Sequence, residues 1–298
     1  MKMNDVNENI LSVVIVTWNS EEDIAECLGS IYNADYDESK LKVETIVVDN
    51  NSADNSVVVI EHFIKIFPYN IKLIKNKENL GYTKGCNQGV KIASGGFVLL
   101  LNPDTQIQKD ALSKLVNYLN SREDIGAVAP QLFTRHKIIQ YSCRTFPRYI
   151  DLFFEITRLS TIFSSSKFFA KWKMKYFNHE EIAEVEQPMA AALMIKAEVL
   201  KKMNYLDERF YMFFNDIDTC KQIYNLGYKI VFYPDAKIYH KIGTSILKDR
   251  VRMIRAWNNA CLSYFRKNDY NPFLYFILFI GLKTTGVLRI FFTKIVYR

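Results

Sequence analysis

The sequence predicts an α/β fold on a largely parallel sheet, and three observations carry that prediction. Apolar, β-branched runs of strand length alternate with stretches of helical periodicity, about 30 residues apart. Several of these runs end in a polar cluster. The composition, 49% hydrophobic and 14% aromatic over 298 residues, is ample for a buried core and excludes a disordered chain. At roughly 150 residues per domain this length allows one large or two modest domains.

Residues 11–17 (LSVVIVT) read as a strand buried on both faces of a parallel sheet. Asn19-Ser20-Glu21-Glu22-Asp23 follows as a helix start, a polar cap with carboxylates in the first turn, and Ile24, Leu28 and Ile31 recur at helical spacing. A second strand at 43–48 ends in Asp49-Asn50-Asn51-Ser52 and leads to a helical stretch at 57–67 and a third strand at 71–74. A fourth, at 97–101, ends in Asn102-Pro103-Asp104, after which Ala111, Leu112, Leu115, Val116 and Leu119 mark one helical face. Residues 131–186 are less regular. Within them, 163–177 (FSSSKFFAKWKMKYF) reads either as an amphipathic helix packed on the body or as an element that touches acceptor or membrane. Regular pattern returns at 190–195 and 229–232.

The polar clusters at Thr17–Asn19, 49–51 and 102–104 fall where strands end, the edge at which open α/β sheets bind ligands. The chain is Rossmann-like, but Thr17-Trp18-Asn19-Ser20 stands where a dinucleotide fingerprint would need glycines, which disfavours an oxidoreductase; no phosphate-cradling P-loop is present either. Five isolated cysteines read as reduced thiols of a cytosolic protein, and the polar start MKMNDVNENI gives no expectation of a secretory signal.

Four segments taken in order are far more specific than any one alone: Val14-Ile15-Val16-Thr17-Trp18-Asn19, Ile46-Val47-Val48-Asp49-Asn50-Asn51-Ser52, Leu99-Leu100-Leu101-Asn102-Pro103-Asp104-Thr105 and Phe213-Phe214-Asn215-Asp216-Ile217-Asp218. With Asn79-Leu80-Gly81-Tyr82 between the second and third, the chain resembles the inverting glycosyltransferases of family 2 over about residues 10–245, most closely the bacterial rhamnosyltransferase-type enzymes of polysaccharide synthesis. The resemblance implies a GT-A fold, a nucleotide-sugar donor and a divalent cation, Mg²⁺ or Mn²⁺. It divides the chain into a domain at 9–245, with a nucleotide-sugar half (9–130) and an acceptor half (131–245), followed by a tail at 246–298.

For donor binding the resemblance points to Thr17, Asn19, Asp49, Asn51, Asn79, Gly81, Asn87, Asn102 and Asp104. Asp49 could accept the N3–H of a uracil or thymine ring, or only cap the following turn; Asn19 could equally be only a helix start. Asn102-Pro103-Asp104 stands at the position of the Asp-x-Asp motif. Asn102 removes one carboxylate and leaves Asp104 as the direct metal ligand, with His240 completing the shell after the last core strand. Nitrogen ligation would favour Mn²⁺ over Mg²⁺. The family's Glu-Asp pair becomes Asn215-Asp216, which keeps Asp216 as the base that takes the acceptor's proton. Asp218, two positions on, is expected to be structural. Residues 187–192 (QPMAAA) either pass near the donor sugar or begin a tightly packed strand.

The net charge of +7 is unevenly placed. Residues 246–298 carry ten basic side chains, among them Lys248, Arg250, Arg252, Lys294 and Arg298, against Asp249 and Asp269, a net +8 that leaves the first 245 residues at −1. The apolar run at 273–282 is about half the ~20 residues of a membrane-spanning helix, and 290–296 is broken by Lys294. Peripheral attachment to an anionic membrane on its cytoplasmic face is therefore expected, the alternative being a solvated helix face with a helix docked on the core; no motif accompanies the basic run that would recruit nucleic acid. The reading is an inverting, metal-dependent hexosyltransferase acting on a lipid-linked glycan, with dTDP-rhamnose or a UDP-hexose as donor. An inactive assembly subunit is the alternative, and the oligomeric state is left open.

Overall fold

The computed structural model describes residues 7–37, 39–67, 70–241 and 250–296. Lys248, Asp249, Arg298, the Lys294 side chain and the proposed 245/246 boundary lie outside the described residues. In the first half, β1 (Asn7–Thr17), α1 (Glu21–Tyr32), β2 (Lys42–Asp49), α2 (Ser56–Ile66), β3 (Ile71–Lys75), α3 (Tyr82–Ile92) and β4 (Gly95–Leu101) alternate. Then follow β5 (Thr105–Ile107), α4 (Ala111–Asn120), β6 (Ile125–Phe133), β7 (Cys143–Arg144), α5 (Tyr149–Ile156), α6 (Leu159–Ile162), β8 (Ala183–Glu184), β9 (Gln187–Pro188), β10 (Ala192–Lys196), α7 (Ala197–Lys202), α8 (Asn215–Asn225), β11 (Lys229–His240), α9 (Arg250–Asn268) and α10 (Pro272–Val296).

The main sheet runs β3-β2-β1-β4-β10-β6-β11-β5, with β8 also on β11. Pairing is parallel for β1 with β2 and β4, β2 with β3, and β6 with β11; β10, β5 and β8 run antiparallel to their neighbours. Apolar clusters cover both faces. Val13 and Ile15 pack on one side with Ile24, Leu28 and Leu115, while Val14 and Val16 pack on the other with Val90 and Ile223. This two-sided burial is why β1 reads as a continuous apolar run rather than an alternating one. Register sets Thr17 opposite Asp49 and Ile15 opposite Leu101, so three strands finish along one edge.

Two expectations need correction, on residues 163–177 and on the apolar run of the tail. Residues 163–177 form successive turns, not a helix; Phe, Trp and Lys there follow no helical period, and Ser164–Ser166 offer the backbone competing hydrogen bonds. The glycine-rich stretch after Gly81 is helical: α3 carries Gly85 and Gly89 on the face against β1. A Cβ at Gly85 would stand 2.8 Å from Val16 Cγ1, and one at Gly89 2.5 Å from Val14 Cγ1, so the glycines buy close packing at the cost of helix propensity. Finally, the apolar run expected to stop at Leu282 continues. Lys283 and Arg289 are exposed and do not interrupt α10, whose Pro272–Thr293 stretch is long and apolar enough to cross a membrane by length and composition.

The tail is also more closely joined to the body than its charge suggests. Cys261, Tyr264 and Phe265 of α9 share a buried cluster with Phe210, Phe214 and Ile217, and with Leu278 and Leu282 of α10. Lys267 donates to both oxygens of Asp218 (2.7 and 2.8 Å) and to Asp207 (2.8 Å). Asp218 is 1% exposed, so its expected structural role is that of an anchor for α9.

Candidate active site

A cavity of about 440 Å³ opens at the edge where β1 and β4 end. Thr17, the last residue of β1, is fully buried on its wall, and its Oγ1 has no hydrogen-bond partner among the described residues. Beside it stands Asn50, whose N–H donates to Thr17 O (2.9 Å) and whose side chain donates to Gly81 O (3.0 Å). Asn50 thus ties the ends of two strands to the start of α3.

Asn79 and Gly81 continue the wall. Asn79 Oδ1 accepts from the Gly81 N–H (3.0 Å) and from the Tyr211 hydroxyl (2.9 Å). Gly81 has a φ of +87°, and a Cβ there would stand 2.4 Å from Tyr211 Cδ2. Both its conformation and its contact therefore require glycine. Arg252, from α9, donates to the Tyr211 hydroxyl at 3.2 Å.

Asn102 and Asp104 follow β4 into the cavity, and His240, the last residue of β11, meets them there. His240 Nε2 is 3.6 Å from Asp104 Oδ1. Its Nδ1 is 2.9 Å from Gln140 Oε1, while Gln140 Nε2 donates to the His240 carbonyl (2.7 Å). An amide oxygen can only accept, so Nδ1 carries the proton and the Nε2 lone pair faces Asp104. Burial pulls the His240 pKa below 6.5, and Asp104 opposes that shift. A carboxylate facing a buried imidazole whose outer nitrogen is fixed is a donor set that fits a divalent cation. Among the described residues no third His, Cys, Asp or Glu joins the pair.

Asp216 stands in the first turn of α8, also on the wall. Gln187 Nε2 donates to its Oδ2 (3.0 Å) and the Ile217 N–H to its Oδ1 (2.9 Å). Burial raises its pKa above 3.8, and the Ile217 N–H and the Arg144 charge work against the rise. The residue entering α8, Phe214, has a φ of +61°. It is held in that costly conformation by packing on Trp257 (centroids 5.5 Å apart) and Tyr264 (5.7 Å). Of the 187–192 segment, Gln187, Met189, Ala190 and Ala191 line the cavity while Ala192 begins β10.

Four residues named from the sequence do not line this cavity. Asp49 is 2% exposed and accepts from the Ser52 N–H (3.0 Å) and hydroxyl (2.5 Å), closing the turn after β2. Asn19 (φ +53°) turns away from the cavity and accepts from the Ala53 N–H (2.7 Å); Asn51 (φ +62°) is exposed. Asn87 is buried between α3 and the 206–208 loop, bonded to both backbone groups of Leu206 and to Glu208. Conversely, Arg144, Trp172, Tyr211, Arg252 and Trp257 line the cavity and were not anticipated. Arg252 and Trp257 carried a signal as part of the basic run, and Trp172 as part of the 163–177 stretch; Arg144 and Tyr211 carried none.

Residues 12–176 match the model of Glycosyl transferase family 2. The chain belongs to this family. It is 26% identical over 214 residues to the low-salt glycan biosynthesis hexosyltransferase Agl10 of Haloferax volcanii, covering 70% of this chain and 60% of that one. To the N-acetylglucosaminyl-diphospho-decaprenol L-rhamnosyltransferase of Mycobacterium tuberculosis it is 22% identical over 269 residues, covering 85% and 82%. The chain spans between 29% and 60% of the length of the first three curated relatives it matches. Among solved structures, the mannosyltransferase PcManGT from Pyrobaculum calidifontis, in complex with GDP-Man and Mn²⁺, superposes with a TM-score of 0.60 at 19% identity, covering 93% of this chain and 69% of that one. The family 2 chain thus has the GT-A fold expected of it.

Proposed function

We propose that this family 2 enzyme is a metal-dependent inverting hexosyltransferase that moves a sugar from a nucleotide donor to a hydroxyl of a lipid-linked glycan. The observation that carries the reading is that Asp216 and the Asp104–His240 pair line one cavity. Asp104 and His240 would hold the cation, with Thr17, Asn79 and Asn102 along the donor's path. A bound Mg²⁺ or Mn²⁺ supplies positive charge to the diphosphate as the glycosidic bond breaks. Asp216 takes the acceptor hydroxyl proton on one carboxylate oxygen while that hydroxyl attacks the anomeric carbon from the face opposite the diphosphate. Gln187 and the Ile217 N–H fix the carboxylate's orientation. Trp257, on the cavity wall, offers an aromatic face on which an acceptor saccharide could lie.

dTDP-rhamnose is the first donor to test and a UDP-hexose the second. The lipid-linked acceptor and the basic, apolar C-terminal helices support a peripheral position on the cytoplasmic face of the membrane. The test is Asp216→Asn. It should keep donor binding, read by thermal shift with Mn²⁺, and lose roughly 10²–10⁴-fold in transfer. Near-normal turnover would end the assignment, and a product with retained anomeric configuration would end the inverting mechanism.

A further inference from the structure

We propose that α10 and residues 149–177 form a single docking surface that seats the chain flat on an anionic bilayer. The proposal rests on the peripheral-membrane reading above and deepens it by naming the surface.

The first part is α10. Along it Phe276, Val287, Leu288, Phe291 and Phe292 are exposed, Val287 by 67%. Its opposite face is backed by protein. Leu278 and Leu282 are buried, Asn258 of α9 donates to the Leu282 carbonyl (2.9 Å), and a Cβ at Gly286 would stand 2.6 Å from Asn258 Nδ2. Leu278, Leu282 and Gly286 keep one face of α10 against the body, so that only the other face is open to lipid. The helix is therefore suited to lie in the interface.

The second part is the stretch from α5 through the turns at 163–177. Phe153, Ile162, Phe163 and Phe168 are exposed, Phe168 by 62%. They are joined by aromatic contacts: Phe154 with Phe168 (5.4 Å), Phe154 with Phe169 (5.0 Å) and Phe163 with Phe169 (5.0 Å). The two parts meet. Leu152 of α5 shares a buried cluster with Leu278 and Leu282, and Ile156 Cδ1 would touch a Cβ on Gly281 at 3.4 Å.

Charge identifies the occupant. Within residues 149–177 the two acids are paired, Asp151 with Arg148 and Glu155 with Lys173, and the exposed charges, Arg158, Lys167, Lys171 and Lys175, are all cationic; α10 adds Lys283 and Arg289 without an acid. Aromatic side chains interspersed with cations, the acids being held in ion pairs, match the headgroup region of anionic lipid. The surface also adjoins the active site, because the 163–177 turns supply Trp172 to the cavity and α9, on which α10 packs, supplies Trp257. An acceptor anchored in that bilayer would be held beside the base.

The test is flotation of the full chain with phosphatidylglycerol–phosphatidylcholine vesicles (about 1:2) and with pure phosphatidylcholine. The chain should float with the anionic vesicles and weakly with the neutral ones. Lys167→Gln, Lys171→Gln and Lys175→Gln should each lower partition about fivefold, and Phe163→Ser with Phe168→Ser tenfold or more. Thermal shift by donor should be unchanged, which excludes misfolding. Phe291→Ser with Phe292→Ser should weaken binding comparably. If the chain floats but the 163–177 variants float equally well, the shared surface is wrong while membrane attachment stands. If the chain floats with neither vesicle, both readings fall. Resistance to carbonate extraction would mean that α10 spans, and a stable dimer that ignores vesicles would mean that a second copy covers the surface; either overturns the proposal.

Discussion

Gln140 Oε1 lies 2.9 Å from His240 Nδ1 and fixes which nitrogen of that ring faces Asp104. Gln140→Leu removes this acceptor and leaves the imidazole free to change tautomer or rotate. Partners of this kind typically contribute 10–100-fold to metal affinity. Mn²⁺ titration followed by electron paramagnetic resonance, with nucleoside diphosphate present, should show a loss of that size. Unchanged Mn²⁺ affinity would separate Gln140 from any metal role.

As the proposed base, Asp216 would set the acid side of the pH profile. It works as base only when ionised, and burial raises its pKa above the ordinary 3.8. Activity should therefore fall as pH drops through this raised value, at higher pH than an ordinary carboxylate would give. Arg144 favours the ionised form, so Arg144→Met should move the acid limb further up in pH. The measurement is kcat/KM against pH for both proteins. An unmoved limb would rule out electrostatic coupling between Arg144 and the base.

The parts legible in the sequence are those in which one local rule decides the outcome. The first, second and fourth strands declare themselves because both faces of the sheet are covered, and their polar ends mark the ligand edge. At the turn after β2, however, Asn50 and Asn51 are adjacent amides. Only the backbone geometry, with φ +62° at Asn51, decides that Asn50 faces the cavity and Asn51 faces solvent. Asn87 shows the same limit, since its partners lie more than a hundred residues away in the 206–208 loop. Arg144, Trp172 and Trp257 come from segments without a motif, and tertiary packing alone brings them to the wall. Local pattern carried the strand ends, Asp216 and the 187–191 segment, but not the rest of the cavity wall.

Lys267 and Asp218 form the tie that holds α9 to the body. Lys267→Met leaves a carboxylate that is 1% exposed without its cation, and Asp207 loses the same partner. Breaking one side of a buried pair typically costs about 3–5 kcal/mol, whereas replacing both sides costs far less. Urea unfolding should show a loss near the lower end of that range for Lys267→Met, partly restored by Asp218→Asn in the same chain. Because α9 also supplies Arg252 and Trp257, activity should fall with stability. A single variant as stable as the parent would show that the apolar cluster alone docks the helix.

Thr17 offers the sharpest separation of binding from folding. Its hydroxyl is buried on the cavity wall without a partner among the described residues, so the free protein bears the desolvation cost and gains no bond. Val has nearly the same shape and no hydroxyl. Thr17→Val should leave the melting temperature unchanged or raise it, because an unsatisfied polar atom is exchanged for a methyl group in an apolar strand. If the hydroxyl is kept for the donor, the same change should weaken nucleotide-sugar binding by about 0.5–1.5 kcal/mol, or two- to tenfold in Kd. Calorimetric titration of the donor beside a thermal melt reads both effects on one sample. Lower stability with unchanged donor affinity would assign Thr17 to the fold and remove it from the site.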